Sequence, residues 1–173
     1  MKPKRLVYMN GEFVTEKNAK ISIFDSALMF GDMVFEMTRS FNQEQFKLRE
    51  HLERLYMGIK LLHIPINMTI EEMEQACLDT IEKNKPAFDK HDEHRLMINV
   101  SRGPLGLYAP VFDGKLEPTV VIADFPLKWT VAAMAPLYDS GINAVIPSQR
   151  AIPASLMEPK IKNRSRLFYQ MAN

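Results

Sequence analysis

Short apolar runs alternate with turn signals over the first third of the chain. Leu6 to Met9 and Phe13 to Val14 flank Asn10 and Gly11, and Asn-Gly between two apolar runs is a strong hairpin signal. Ile21, Ile23 and Phe24 predict a further short strand. Met33 to Phe41 is rich in strand formers, and Asn42, Gln43 and Glu44 turn it toward Gln45 to Leu48 in a second predicted hairpin. The period then changes. Leu52, Leu55, Tyr56, Ile59 and Leu62 recur at the spacing of one helix face, beginning near Glu50. His63, Ile64 and Pro65 end that helix. Thr69 with Glu72 forms a capping box, which opens a helix to about Lys83 with Ile70, Met73, Cys77 and Ile81 inward. Residues 84–93 are charged and loop-like. His94 to Ser101 and Thr119 to Phe125 read as central strands, joined by a loop through Gly103 and Gly106.

The remaining pattern is less regular. Phe125 to Tyr138 holds two prolines and Trp129, and reads as a linker. Ile142 to Ile146 predicts a strand, and after Pro159 the pattern turns helical through Leu167 and Tyr169. The expected organisation is a domain over residues 1–124, a linker over 125–138, and over 139–173 the beginning of a second domain. That last stretch is too short to fold as a unit of its own, so the expectation is a truncated protein.

Composition narrows the classes. The chain has 173 residues, with 22 Lys and Arg against 21 Asp and Glu. A net charge of +1 lacks the basic excess of a dedicated nucleic-acid binder and gives no polybasic patch for anionic membranes. A single cysteine, Cys77, excludes an intramolecular disulfide framework and a multi-cysteine zinc site. No signal peptide is read at Met1 to Arg5, and no apolar run reaches the roughly 18 residues of a membrane span. The expectation is a cytoplasmic protein with no nucleic-acid or membrane partner.

Four groups of residues could carry chemistry. His91, Asp92, Glu93 and His94 have metal-ligand side chains, but adjacent loop residues rarely converge on one ion, and no metal site is assigned. Cys77 falls on an inward helix face, where a thiol behaves as a small apolar group, and no nucleophile elbow is present. No glycine-rich phosphate loop occurs, so a phosphate would fall to side chains such as Arg54. Spacing alone pairs Arg54 with Glu50 on the helix surface. Lastly, Pro159 to Arg166 carries Lys160, Lys162, Arg164 and Arg166. This run is either a solvated helix start or the setting of a lysine whose amine attacks a carbonyl, which requires a partly desolvated pocket.

Several motifs, in order, resemble those of the fold-type IV pyridoxal-phosphate enzymes: branched-chain aminotransferases, D-amino-acid transaminases and aminodeoxychorismate lyases. Tyr8 to Val14 is similar to the family's opening hairpin, and Asp25 to Glu36 to its next signature. Phe46 to Leu55 resembles its arginine-bearing helix. Ser101, Arg102 and Gly103 with Gly106 and Leu107 match its middle loop, and Ser148 to Arg150 with Glu158 to Lys162 match the approach to the catalytic lysine. The chain departs from the pattern at Ser26, Ala27, Met33 and Met97, and at Leu107 and Ala109, where D-amino-acid transaminases carry a carboxylate-trapping arginine and histidine.

The resemblance implies an α+β fold: a mostly antiparallel sheet with two main helices, followed by the start of the cofactor-binding domain. It implies transamination between an amino acid and a 2-oxo acid, with the branched-chain group favoured. Lys162 falls on the Schiff-base lysine of pyridoxal 5'-phosphate and Arg54 on the phosphate-gripping arginine. Phe35, Tyr108 and Trp129 fall on or near the substrate pocket, and the Gly103 to Tyr108 loop is expected to reach toward a partner subunit in a homodimer. A truncated chain would bind the cofactor weakly and show little activity. A lyase or D-amino-acid transaminase of the same fold, or a non-catalytic dimerising module, remain the alternatives.

Overall fold

A computed structural model describes residues 3–172. Six strands form one antiparallel sheet: β1 (Leu6–Met9), β2 (Glu12–Thr15), β3 (Met33–Phe41), β4 (Glu44–Gln45), β5 (His94–Ser101) and β6 (Thr119–Pro126), in the order β2-β1-β6-β5-β3-β4. Asn10 and Gly11 both take positive φ, 45° and 95°, the geometry that matches a two-residue turn to strand twist. The Asn10 side chain also accepts a hydrogen bond from the Val120 amide at 2.6 Å, which ties the turn to β6.

Two helices cover one face of the sheet: α2 (Leu48–Leu61) and α3 (Ile70–Asn84). Leu52, Leu55 and Ile59 of α2 and Met73, Cys77 and Ile81 of α3 meet Val34, Leu96, Ile98, Val100 and Ile122 of the strands in one core. The capping box of α3 is formed on both sides, Thr69 Oγ1 to the Glu72 amide and Glu72 to the Thr69 amide. At its other end the Asn84 side chain clamps the Leu6 amide and carbonyl at 2.7 and 2.8 Å. α2 crosses β3 closely because position 58 is glycine: a Cβ there would lie 2.9 Å from Val34 Cγ1.

Four segments differ from the pattern-based expectation. Ile21 to Phe24 form a turn instead of a strand: the Ser22 hydroxyl accepts the Phe24 amide and the Ser22 carbonyl accepts that of Asp25. Local side-chain bonding of this kind competes with strand pairing. It leads into a short helix, α1 (Ser26–Phe30), capped by Asp25. Phe125 and Pro126 complete β6, and most of the expected linker is helix α4 (Lys128–Ser140), favoured by Ala132, Ala133, Met134 and Ala135. Ile142 to Ile146 pair with no strand among the described residues and lie exposed; without a partner strand their backbone gains nothing from extension. After Pro159 only α5 (Leu167–Gln170) is helical: residues 161–166 are irregular backbone with local bonds such as the Asn163 amide on the Ile161 carbonyl, and the Phe35 amide holds the Lys162 carbonyl. No helix among the described residues is long and apolar enough to cross a membrane.

Leu52 is fully buried between α2 and the sheet, whereas Leu61 on the same helix is 44% exposed. Leu52→Ala is expected to lower stability by about 2–5 kcal/mol, and Leu61→Ala by no more than about 0.5 kcal/mol. Urea unfolding of the two variants checks the difference.

Candidate active site

Alternation along β3 sends Val34, Glu36, Thr38 and Ser40 toward the helices, all buried, and leaves Met33 and Met37 on the more open face. Glu36 therefore puts a carboxylate on the apolar side of a central region of sheet, with its side chain 0% exposed. An ionised group there requires hydrogen-bond donors and opposite charge, and three side chains converge on it. Arg54 Nε donates to Oε1 and Arg54 Nη2 to Oε2 at 2.9 Å. His51 Nδ1 lies 2.9 Å from Oε2, as the donor, because an ionised carboxylate only accepts. Lys162 Nζ donates to Oε2 at 2.8 Å. The Met37 amide adds a fifth hydrogen bond at 3.2 Å.

Each partner is delivered by a local structural reason. His51 and Arg54 are three residues apart on α2 and share one face, and the close crossing at Gly58 brings that face to β3. Lys162 arrives on the irregular segment after Pro159. The Phe35 amide donates to the Lys162 carbonyl at 3.0 Å, adding this segment to the edge of β3, while Ile161 packs against the core. Burial raises the Glu36 pKa, but the hydrogen bonds from Arg54, Lys162 and His51 outweigh it and hold the carboxyl at about 2.

Arg54 and Lys162 keep 46% and 32% of their side-chain surface open and line one cavity of about 630 Å³ with Phe35, Met57, Phe168 and Tyr169. The Phe35 ring forms part of its wall: Lys162 Nζ stands 5.1 Å and the Arg164 guanidinium 4.4 Å from the ring centroid. Arg164 Nε also donates to Asn99 on β5 at 2.8 Å. The arrangement offers a guanidinium for an anion, a primary amine for a carbonyl and an aromatic wall for a flat or apolar group.

Three of the five site residues singled out from the sequence, Phe35, Arg54 and Lys162, are thus brought together. Tyr108 and Trp129 are not. Tyr108 packs against Phe24 at 4.6 Å between ring centroids. Trp129 stacks on Phe125 beneath the Arg5 guanidinium, 4.5 Å from its centroid. Neither lines the cavity. The helix-surface pairing of Arg54 with Glu50 is not formed; Glu50 pairs with Lys47 at 2.8 Å. The roles of Glu36 and His51 were missed by motif and spacing, although a glutamate on the inward side of an apolar strand already calls for a cation.

The other candidate groups serve the framework. Glu93 accepts from the Asn42 and Gln43 amides and from Ser40, His94 pairs with buried Asp124 at 2.8 Å, and Asp92 meets Lys128. Burial raises the Asp124 carboxyl, against the opposing pull of His94. Cys77 lies in the core, where burial pushes its thiol up. Arg102 grips Asp32 at 2.6 Å and the Leu62 and His63 carbonyls at 2.6 and 2.8 Å, fastening the end of α2 to the loop before β3.

Comparison with known proteins gives the family. Residues 33–173 match the model of amino-transferase class IV, and the chain belongs to that family. It is 38% identical over 163 residues to a putative branched-chain-amino-acid aminotransferase of Methanocaldococcus jannaschii, covering 93% of this chain and 52% of that protein. It is 35% identical over 133 residues to a D-alanine aminotransferase of Staphylococcus epidermidis, covering 77% and 42%. Among solved structures, the branched-chain aminotransferase of the thermophilic archaeon Thermoproteus uzoniensis with norvaline superposes with a TM-score of 0.74 at 25% identity, over 98% of this chain and 55% of that one. The chain spans about half the length of these proteins.

Glu36 is charged in the folded state down to about pH 2, against an ordinary value of 4.5. A depressed pKa stabilises the fold above the unfolded value and loses that stabilisation as pH falls toward the folded one. The parent chain is therefore expected to lose on the order of 3 kcal/mol relative to Glu36→Gln between about pH 4.5 and 2. Paired urea titrations across that range check this; parallel pH profiles would refute it.

Proposed function

We propose that this chain carries the lysine and part of the phosphate anchor of a pyridoxal-phosphate aminotransferase that moves the amino group of a branched-chain amino acid to a 2-oxo acid. The observation that carries the reading is the meeting of Lys162 and Arg54 at one cavity through a shared buried carboxylate. The residues present fit the cofactor: a phosphate monoester matches the guanidinium of Arg54, an aldehyde matches the amine of Lys162, and Phe35 supplies an apolar wall for a ring or a side chain. When bound, pyridoxal phosphate supplies the aldehyde and a ring that accepts the electron pair left by the substrate's α-proton.

The protein's own part is orientation and proton transfer. Arg54, fixed at Nε and Nη2 by Glu36, presents the rest of its guanidinium to the phosphate. Lys162 Nζ leaves Glu36 to serve the reaction, then takes the proton from the substrate α-carbon as a neutral amine and returns it. Phe35 excludes water from that path. Under this reading, residues 1–124 form the first domain, 125–138 connect it, and 139–173 begin the cofactor-binding domain. The exposed Leu107 loop fits a reach toward the partner in a homodimer, where Tyr108 and Trp129 would complete the substrate pocket. The match to branched-chain relatives favours that amino donor. Leu107 and Ala109 offer no carboxylate trap of the D-amino-acid kind.

Reductive capture tests the reading. The chain is mixed with pyridoxal phosphate, reduced with borohydride and mapped by mass spectrometry beside Lys162→Ala. One dominant adduct on Lys162 is expected. Labelling scattered over surface lysines, or none, would overturn the assignment of Lys162.

A further inference from the structure

Glu36 is the most completely bonded side chain of the site, yet neither the proposed proton transfer nor the phosphate contact assigns it a direct role. We infer that Glu36 is the positioning residue that gives this site its preference for a phosphorylated aldehyde, by fixing Arg54 beside Lys162. The inference rests on the functional reading above and adds to it a residue that touches neither substrate nor cofactor phosphate.

An arginine side chain on a helix surface has many rotamers, and ordering it has an entropic cost. Arg54 is ordered in advance: Nε and Nη2 engage both oxygens of one carboxylate. Such fork-to-fork pairing fixes the plane of the guanidinium as well as its place. The carboxylate itself has little freedom, because β3 holds its backbone and His51 and the Met37 amide hold Oε2. The same Oε2 accepts from Lys162 Nζ at 2.8 Å, so one atom sets the spacing between the amine and the anion-binding group. A ligand with its aldehyde and its phosphate at that spacing gains both contacts, and one without the phosphate gains only the first.

A role in proton transfer does not suit Glu36. Its carboxyl is held at about 2, so at neutral pH it carries no proton to give and is too weak a base to take one. Arg54 from α2 and Lys162 from the segment after Pro159 both face it, and this one carboxylate offsets part of their positive charge. Removing its charge leaves Arg54 and Lys162 to repel each other and Arg54 free to turn toward water.

The test compares two aldehydes on the full 173-residue chain. Pyridoxal phosphate and pyridoxal are each titrated, captured with borohydride and quantified at Lys162. Nζ attacks the aldehyde carbon and water leaves; borohydride then supplies hydride to the C=N bond, giving a stable secondary amine. In Glu36→Gln the preference of Lys162 for the phosphorylated aldehyde is expected to fall about tenfold, as for loss of a charge-assisted anchor. Arg54→Gln should show the same fall, and the double variant no further one, because Glu36 acts through Arg54. A general loosening of the fold would lower capture of both aldehydes together and leave their ratio unchanged, which would overturn the inference. If Glu36→Gln does not fold, Glu36→Asp is read the same way: it keeps the charge, shortens the reach and is expected to lower the ratio in part. An unchanged ratio in that variant also overturns it. Failure of the parent chain to label at Lys162 would instead overturn the functional reading itself.

Discussion

A carboxylate on the apolar side of a sheet is stable only in company. Removing an ion from water costs several kcal/mol even after relaxation, and only well-directed donors offset that. Glu36 meets this condition with Arg54, His51, Lys162 and the Met37 amide. The consequence extends beyond the pair energies. β3, α2 and the segment around Lys162 are separate pieces of chain, and one buried charge makes their relative placement a requirement. Apolar packing alone would tolerate a small slide of α2 along the sheet. A two-point bond between Arg54 and Glu36 would not.

The surrounding fold is arranged to permit this contact. Gly58 lets α2 lie close against Val34, and Arg102 ties the end of that helix to Asp32 just before β3 begins. The edge of β3 is open enough for the Phe35 amide to bond the Lys162 carbonyl. The lysine is thus placed by backbone pairing, and its amine by an ion pair. Both placements leave the amine at a cavity, where it can leave the carboxylate for a ligand. Framework groups such as Asn84 on Leu6 and Glu93 on the β3–β4 turn hold the sheet ends without entering the cavity.

Much of the sheet and its two covering helices was legible because the signals are local. The Asn10-Gly11 turn, the Thr69 capping box and the apolar spacing of α2 and α3 each require only neighbouring residues, and the helices lie within two residues of where the pattern placed them. Legibility fell where the outcome depends on distant partners. Ile142 to Ile146 have strand-forming side chains and no strand to pair with among the described residues. The segment around Lys162 reads as a helix start, yet the Phe35 amide of β3 holds it as irregular backbone. Ser22 made a turn of an apolar stretch through one hydroxyl. The resemblance to fold-type IV enzymes picked out Phe35, Arg54 and Lys162, which do converge. It did not assign Glu36 the work of joining them, because that role is visible only when the inward face of β3 is set against the face of α2 that carries His51 and Arg54.

The account stands on the charge state of one side chain. With the chain labelled at glutamate carboxyl carbons, the resonance of Glu36 can be followed by NMR as pH is lowered. The account predicts that it titrates near 2, and that Arg54→Gln and Lys162→Gln each move it upward toward 4.5. A midpoint at the ordinary glutamate value in the parent chain would contradict it, because Arg54, Lys162 and His51 would then not be gathered on Glu36 in solution.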